Sequence, residues 1–512
     1  MLHRLALALT AALLLVAAPA AAATADRLER LGGRPCSAGS EFVCVTLTVP
    51  LDHFDPADTR TTRVVFAVRP ADGASRGLFV TATGGPGSSG IAVAESYTES
   101  LPPRMLRVYD LVYFDQRGMG RSGGLACPQA TARAVLSEAD TARAGQAFAA
   151  NCTAELRSRR LLPYMGTAQA VEDLEALRVA LDEPEVYLYG ESYGTQYVQT
   201  YAAAHPGPVR RMAIDGVVDL TLTGPQFWAS ASAAFERVLG DTLRICGTRT
   251  GCRRDLGGDP LGFYERLLAR LERGPLPVRV PGTRPAVTRQ LTRDLLAVAV
   301  SASLYSPASR AALLGSLADA RRGDRWPLLE TAYINAGLDP STLEPAPDPA
   351  WSDAVYFGVD CRDYRYYDGT PPERSAAFLA EADAVGARYP LIGWSTAQSD
   401  YACVWWPAPE PGPERPAPLV LPGVPVLVAN ATADPITPMD QARDVAARLA
   451  DGYLLTTRGG AHVMWGRGND CVEAAYRRFF VGLRAPAERR TFCSHATVDP
   501  YAPLERGRRG RR

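Results

Sequence analysis

The sequence predicts an α/β fold in which a mostly parallel sheet, with helices on both faces, carries an inserted and mostly helical domain. Three observations predict it. Short apolar, β-branched runs at 42–49, 63–68, 78–83, 108–114 and 186–189 alternate with helical stretches, an order that implies parallel strands with covered faces. The same pattern resumes at 211–214, 424–429 and 453–457. Between these two blocks lie roughly two hundred residues, far more than a structureless connection in a compact domain holds.

The interrupting segment shows helix-like periodicity at 227–245, 262–271, 291–304 and 308–320. Residues 220–423 are therefore expected to form a helical cap on a sheet domain built from 26–219 and 424–504. The Pro-rich stretch PAPEPGPERPAPLVLPGVP at 407–425 reads as the return linker. The closing ERGRRGRR, 505–512, reads as a solvated, disordered basic tail.

A length of 512 residues suits one large domain carrying a smaller one. Hydrophobic content of 47% and charged content of 21% fit a globular chain. The 55 basic and 55 acidic residues cancel, so no global field draws the protein to nucleic acid or an acidic membrane surface. Every basic residue is Arg, and the absence of lysine excludes Schiff-base, Ser-Lys and Walker-A chemistry.

Arg4 precedes an apolar stretch at 5–18 that ends in small residues, so 1–25 reads as a secretory signal peptide and implies a secreted or cell-envelope location. No later segment is apolar for long enough to span a bilayer. Ten cysteines form an even set, as a disulfide framework in an exported chain requires. Their order suggests neighbour pairing: Cys36 with Cys44, Cys127 with Cys152, Cys246 with Cys252, Cys361 with Cys403, and Cys471 with Cys493. No C-x-x-C occurs, which weakens zinc and redox readings.

The chemistry concentrates at a few turns. The run at 185–189 passes straight into Gly190-Glu191-Ser192-Tyr193-Gly194, and TQYVQTYAAAH then reads as a helix. This is a G-x-S-x-G nucleophile elbow in the strand-turn-helix setting it requires, with Ser192 at the apex and a helix N-terminus behind it. A serine at neutral pH needs a base. Of five histidines, His3 lies in the signal segment, His53 in an early turn, His205 at the end of the helix after the elbow, and His495 beside Cys493. His462, in TTRGGAHVMWG, follows a strand late in the chain, as the order Ser, Asp, His demands. The acid that fixes its tautomer is expected at Asp434, just beyond the strand of VPVLVANATADPITP, with Asp215 and Asp219 as alternatives after an earlier strand.

Acyl transfer also needs donors aimed at an oxyanion. The strand at 78–83 empties into GGPGSSG, so the backbone N–H groups of Gly85 and Tyr193 form the expected pair. In DQRGMGRS at 115–122, Asp115 and Arg117 read as scaffold that orders the loop.

Taken together, GGPGSSG at 84–90, DQRGMGRS, GESYGTQY at 190–197, DGVVD at 215–219, ADPITP at 433–438 and GGAHV at 459–463 resemble the α/β-hydrolase peptidases. That group includes the proline iminopeptidases and the secreted tripeptidyl aminopeptidases. The resemblance implies an α/β-hydrolase fold and release of residues from free peptide N-termini through an acyl-enzyme, with no metal or organic cofactor. Peptides with free N-termini are the implied partners.

A free α-amine is cationic near neutral pH and calls for an acid facing the nucleophile. Asp360 and Asp363, in the cap segment YFGVDCRDY, are the candidates there, with Glu191 a further option. An esterase or amidase acting on small acyl substrates uses the same triad and is the second reading. A catalytically idle binding protein is the third, and it has no chemical use for Ser192, Asp434, His462 and the GGPG turn together.

Overall fold

A computed structural model describes residues 20–137, 141–346, 348–364, 366–407 and 419–494. Most of the expected signal peptide, most of the Pro-rich linker, His495 and the basic tail lie outside the described residues. Residues 20–25 of the signal reading belong to a helix, Ala20–Arg30.

The strands are β1 (Arg34–Pro35), β2 (Val43–Pro50), β3 (Thr61–Arg69), β4 (Leu78–Ala82), β5 (Asp110–Asp115), β6 (Val186–Glu191) and β7 (Val209–Asp215), then the pair β8 (Leu276–Arg279) and β9 (Thr288–Leu291), then β10 (Val426–Ala431), β11 (Gly452–Thr457) and β12 (Arg490–Cys493). All except β8 and β9 join one sheet in the order β1-β2-β3-β5-β4-β6-β7-β10-β11-β12. From β5 to β12 every neighbouring pair is parallel, and β1, β2 and β3 continue antiparallel at one edge. The α/β architecture and the parallel sheet follow the sequence expectation.

Every residue of β4, β5, β6 and β10 is buried, because helices cover both faces. On one face Val80, Leu188, Ile214 and Val428 pack with Leu174, Leu177, Val198 and Tyr201 of the helices Thr167–Ala180 and Tyr193–Ala204. On the other, Phe79, Tyr187, Tyr189 and Ala429 meet Trp465, Tyr476 and Phe480. The alternation of side chains along each strand delivers one set to each face. The edge strands β1 and β12 escape sequence reading because they are short and largely exposed.

Between β7 and β10 the chain builds helices with a core of their own, in which Leu239, Leu243, Leu268, Leu296, Val300, Leu314 and Leu317 pack together. The first long helix, Gly224–Thr248, starts with a capping box in which Thr223 and Gln226 exchange hydrogen bonds, and Pro225 sits in the first turn. Helices at Asp353–Asp363 and Pro371–Arg388, and the β8–β9 hairpin, are additional to the four expected. Residues ahead of β6 also join this region: Met119, Phe148, Leu162 and Met165 pack with Val355, Val359 and Trp406.

The ten cysteines fall into the five neighbour pairs, each within bonding distance. Among the described residues no helix is long and apolar enough to cross a membrane, and no group of three or more His, Cys, Asp or Glu is placed to hold a metal ion.

Candidate active site

The site lies beyond the carboxyl ends of the parallel strands, where loops from β4, β6, β7, β10 and β11 converge. At the end of β6, Ser192 turns with φ 54° and ψ −125°, a left-handed backbone held because its N–H donates to the Asp215 carbonyl at 2.9 Å. The two flanking glycines are required by space. A Cβ at Gly190 would sit 2.3 Å from the Gly194 carbonyl oxygen, and one at Gly194 would sit 1.9 Å from that of Ala82. The helix Tyr193–Ala204 begins directly behind the serine and points its N-terminal dipole at the hydroxyl.

The GGPG turn after β4 passes close above Ser192, since a Cβ on Gly84 would lie 3.4 Å from Ser192 Oγ. Gly85 has φ +109°, a conformation that favours glycine. Two backbone hydrogen bonds tie this turn to the inserted region: Ser352 N–H donates to the Gly87 carbonyl and Ser89 N–H to the Ala350 carbonyl, both at 2.9 Å. The opposite side of the turn is braced by Asp115, whose oxygens accept from Ser89 Oγ at 2.5 Å and Arg121 N–H at 2.8 Å. Arg117, fully buried, donates to both oxygens of Asp173 and to the Leu51 carbonyl. These contacts match the scaffold reading of DQRGMGRS.

Asp434 follows β10 and is buried. Its Oδ2 accepts from His462 Nδ1 at 2.8 Å and from Thr437 Oγ1 at 2.9 Å, while Oδ1 accepts from the N–H groups of Ile436 and Thr437. With Nδ1 engaged, the other imidazole nitrogen of His462 is left for the cavity it shares with Ser192. Burial would lower the His462 pKa, but the charge and hydrogen bond of Asp434, with Glu191 and Asp215 nearby, raise it above its ordinary 6.5. Asp215 instead accepts from Met464 and Trp465 N–H groups and from Tyr476 Oη, and burial pushes it up to about 6. Asp219 binds Thr221 and Arg448. Neither alternative acid touches the imidazole. His53 and His205 pair with Asp173 and Glu172 away from the site.

The inserted region supports the histidine from the far side. Tyr305 accepts the His462 N–H on its carbonyl at 2.8 Å and sets its ring edge-on, 5.4 Å between centroids. Arg310, buried, donates to the carbonyls of Leu304, Ala433 and Gly460, and so joins the loops bearing Asp434 and His462 to the helices above. Burial lowers its pKa to about 10.

Ser192 and His462 line one cavity of about 650 Å³. Asp360 lines its inserted wall, and Tyr366 Oη bridges the two carboxyls, 2.9 Å from Asp360 Oδ2 and 2.5 Å from Asp400 Oδ2, with one proton to donate between them. Asp400 also accepts from Trp228 Nε1 and Tyr356 Oη. Burial, then the adjacent Asp400 charge, holds the Asp360 carboxyl well above the usual range. The Cys361–Cys403 disulfide joins the two segments that carry this pair.

Asp363 lies on the same helix as Asp360. It is not among the cavity-lining residues, and its oxygens accept from Thr167 N–H, Thr167 Oγ1 and Gln196 Nε2. Glu191 does line the cavity, but its oxygens accept from Tyr97 and Tyr189, and burial raises its pKa. Asp400, Tyr305, Arg310 and Thr437 were missed in sequence. Only Thr437 carried a signal, a hydroxyl three residues after the expected acid.

This fold and site define a serine hydrolase. The chain has the α/β-hydrolase fold: residues 77–254 match the family model described as alpha/beta hydrolase fold, and residues 389–493 match that described as TAP-like protein. Over 465 residues it is 28% identical to Serine protease Hip1 of Mycobacterium tuberculosis, covering 87% of this chain and 86% of that one. Tripeptidyl aminopeptidase of Streptomyces lividans is 26% identical over 489 residues, 89% of this chain and 84% of that one. Carboxylesterase B of Mycobacterium tuberculosis is 28% identical over 461 residues, with 86% and 85% covered.

Proposed function

We propose that the protein is an exported serine exopeptidase that releases short peptides or single residues from free N-termini through an acyl-enzyme. Ser192 Oγ attacks the scissile carbonyl and passes its proton to His462, while Asp434 stabilises the imidazolium. The N–H groups of Gly85 and Tyr193 receive the oxyanion. His462 then protonates the leaving amine as the C–N bond breaks. Water, deprotonated by the same imidazole, attacks the ester carbonyl and frees Ser192.

The observation that carries the peptidase reading is the buried Asp360, which lines the same cavity as Ser192 and is linked through Tyr366 to the buried Asp400. A buried cation persists only when paired, and two adjacent buried carboxyls give an ammonium group its counter-charge. An uncharged ester makes no use of such a pair. Export is supported by the five disulfides and the N-terminal sequence signature.

The test is a panel of chromogenic mono-, di- and tripeptide amides, free and N-acetylated, beside short-chain esters. Acetylation removes the charge and adds bulk, and is expected to lower kcat/KM at least about tenfold, equivalent to about 1.4 kcal/mol. Equal turnover of blocked and free peptides, or faster turnover of esters than of any peptide, favours an esterase or amidase acting on small acyl groups. The relative named Carboxylesterase B makes that the second reading.

A further inference from the structure

The two walls of the cavity differ in charge. On the inserted wall, Asp360 is surrounded by the negative charges of Asp400 and Asp363. On the other, Glu191 feels the positive charges of Arg467 and His462. Arg467 lines the cavity, is exposed, and makes no ion pair or side-chain hydrogen bond among the described residues.

Its position is fixed by the loop that also carries His462. Met464 and Trp465 N–H groups donate to Asp215, and Gly466 N–H donates to Glu473 Oε1 at 2.9 Å. Because Nδ1 of His462 is committed to Asp434, only the other nitrogen can hand a proton to the departing amine. The released half of the substrate therefore leaves past His462, whose loop also brings Arg467 to the cavity lining. Within reach of the Arg467 charge, burial raises the Glu191 carboxyl and two tyrosines bind it, which weakens its competition for the guanidinium.

We propose that Arg467 is a specificity-determining residue that binds a carboxylate on the leaving half of the substrate, either the C-terminus of a short peptide or an acidic side chain. The proposal rests on the acyl-enzyme mechanism above and extends it to substrates charged at both ends, with ammonium toward Asp360 and carboxylate toward Arg467. A guanidinium matches a carboxylate with two parallel hydrogen bonds.

The acyl-enzyme can be formed from a small p-nitrophenyl ester and partitioned between water and dipeptide acceptors. The acceptor amine displaces Ser192, its proton passing through His462 to the serine oxygen. Four acceptors separate the sources of charge: Ala-Ala acid, Ala-Ala amide, Ala-Asp amide and Ala-Asn amide. Preference for Ala-Ala acid over its amide by about fivefold, lost in Arg467→Gln and inverted in Arg467→Glu, supports recognition of a C-terminus. The same pattern for Ala-Asp amide over Ala-Asn amide supports recognition of a side chain. Equal capture of all four by the unmodified enzyme, a preference that survives Arg467→Gln, or no capture of any acceptor overturns the proposal. Because the acyl group comes from an ester, these outcomes are separate from failure of the free-amine reading, which the peptide amide panel tests.

Discussion

The two walls of the cavity obey different constraints. The sheet wall is made by backbone: Ser192 sits on a turn whose neighbours have no room for a Cβ, and Asp434 and His462 stand on loops fixed by adjacent parallel strands. The inserted wall is made by side chains, with Asp360 and Tyr366, Asp400, and Trp228 gathered from three separate segments by packing and one disulfide. Backbone constraint leaves a local mark in sequence, and long-range assembly does not. Under the proposed function the division also assigns work: chemistry to the sheet wall and recognition of the substrate ammonium to the inserted one.

The largest effect that can break this comparison is at Ser192. Ser192→Ala is expected to abolish labelling by a fluorophosphonate probe and to remove at least about 10⁴-fold of turnover on peptides and esters alike. Retained labelling would place the nucleophile elsewhere. A smaller effect is expected where the walls join. Arg310→Met leaves the carbonyls of Ala433 and Gly460 without their buried donor and loosens both catalytic loops. It is expected to lower kcat about ten- to a hundredfold on every substrate with little change in the free-to-acetylated ratio, which steady-state kinetics on both peptides will read.

Smaller still is a shift in pH dependence. Catalysis needs neutral His462, and its pKa is raised above 6.5, so the acid limb of kcat/KM is expected above pH 6.5. Asp434→Asn removes the charge that raises it, and the limb should move to lower pH as the overall rate falls. A limb that stays in place would separate Asp434 from the base.

The strands β2 to β7, β10 and β11, and the turns that carry Ser192, Asp434 and His462, were readable because each rests on short-range rules. Fully buried parallel strands give unbroken apolar runs, and G-x-S-x-G and GGPG record close backbone approaches at Gly190, Gly194 and Gly84. The neighbour pairing of cysteines followed chain order for the same reason, since each bridge closes a short or moderate loop. Asp360 and Asp363 looked equivalent in sequence. They lie three residues apart on one helix, yet one lines the cavity and the other is held by Thr167 and Gln196 on helices of the sheet domain. Asp400 carried no motif, and its role depends on Tyr366 and Trp228 being folded against it. Arg310 was one of 55 arginines and gave no sign that its guanidinium bridges two catalytic loops.

The division of labour between the walls is tested most directly by Asp360→Asn, measured on a free tripeptide amide, its N-acetylated form and a short-chain ester. The account predicts that the free-to-acetylated ratio in kcat/KM collapses from at least about tenfold to near unity, while ester turnover falls by no more than about threefold. A parallel fall on all three substrates, or an unchanged ratio, would contradict it.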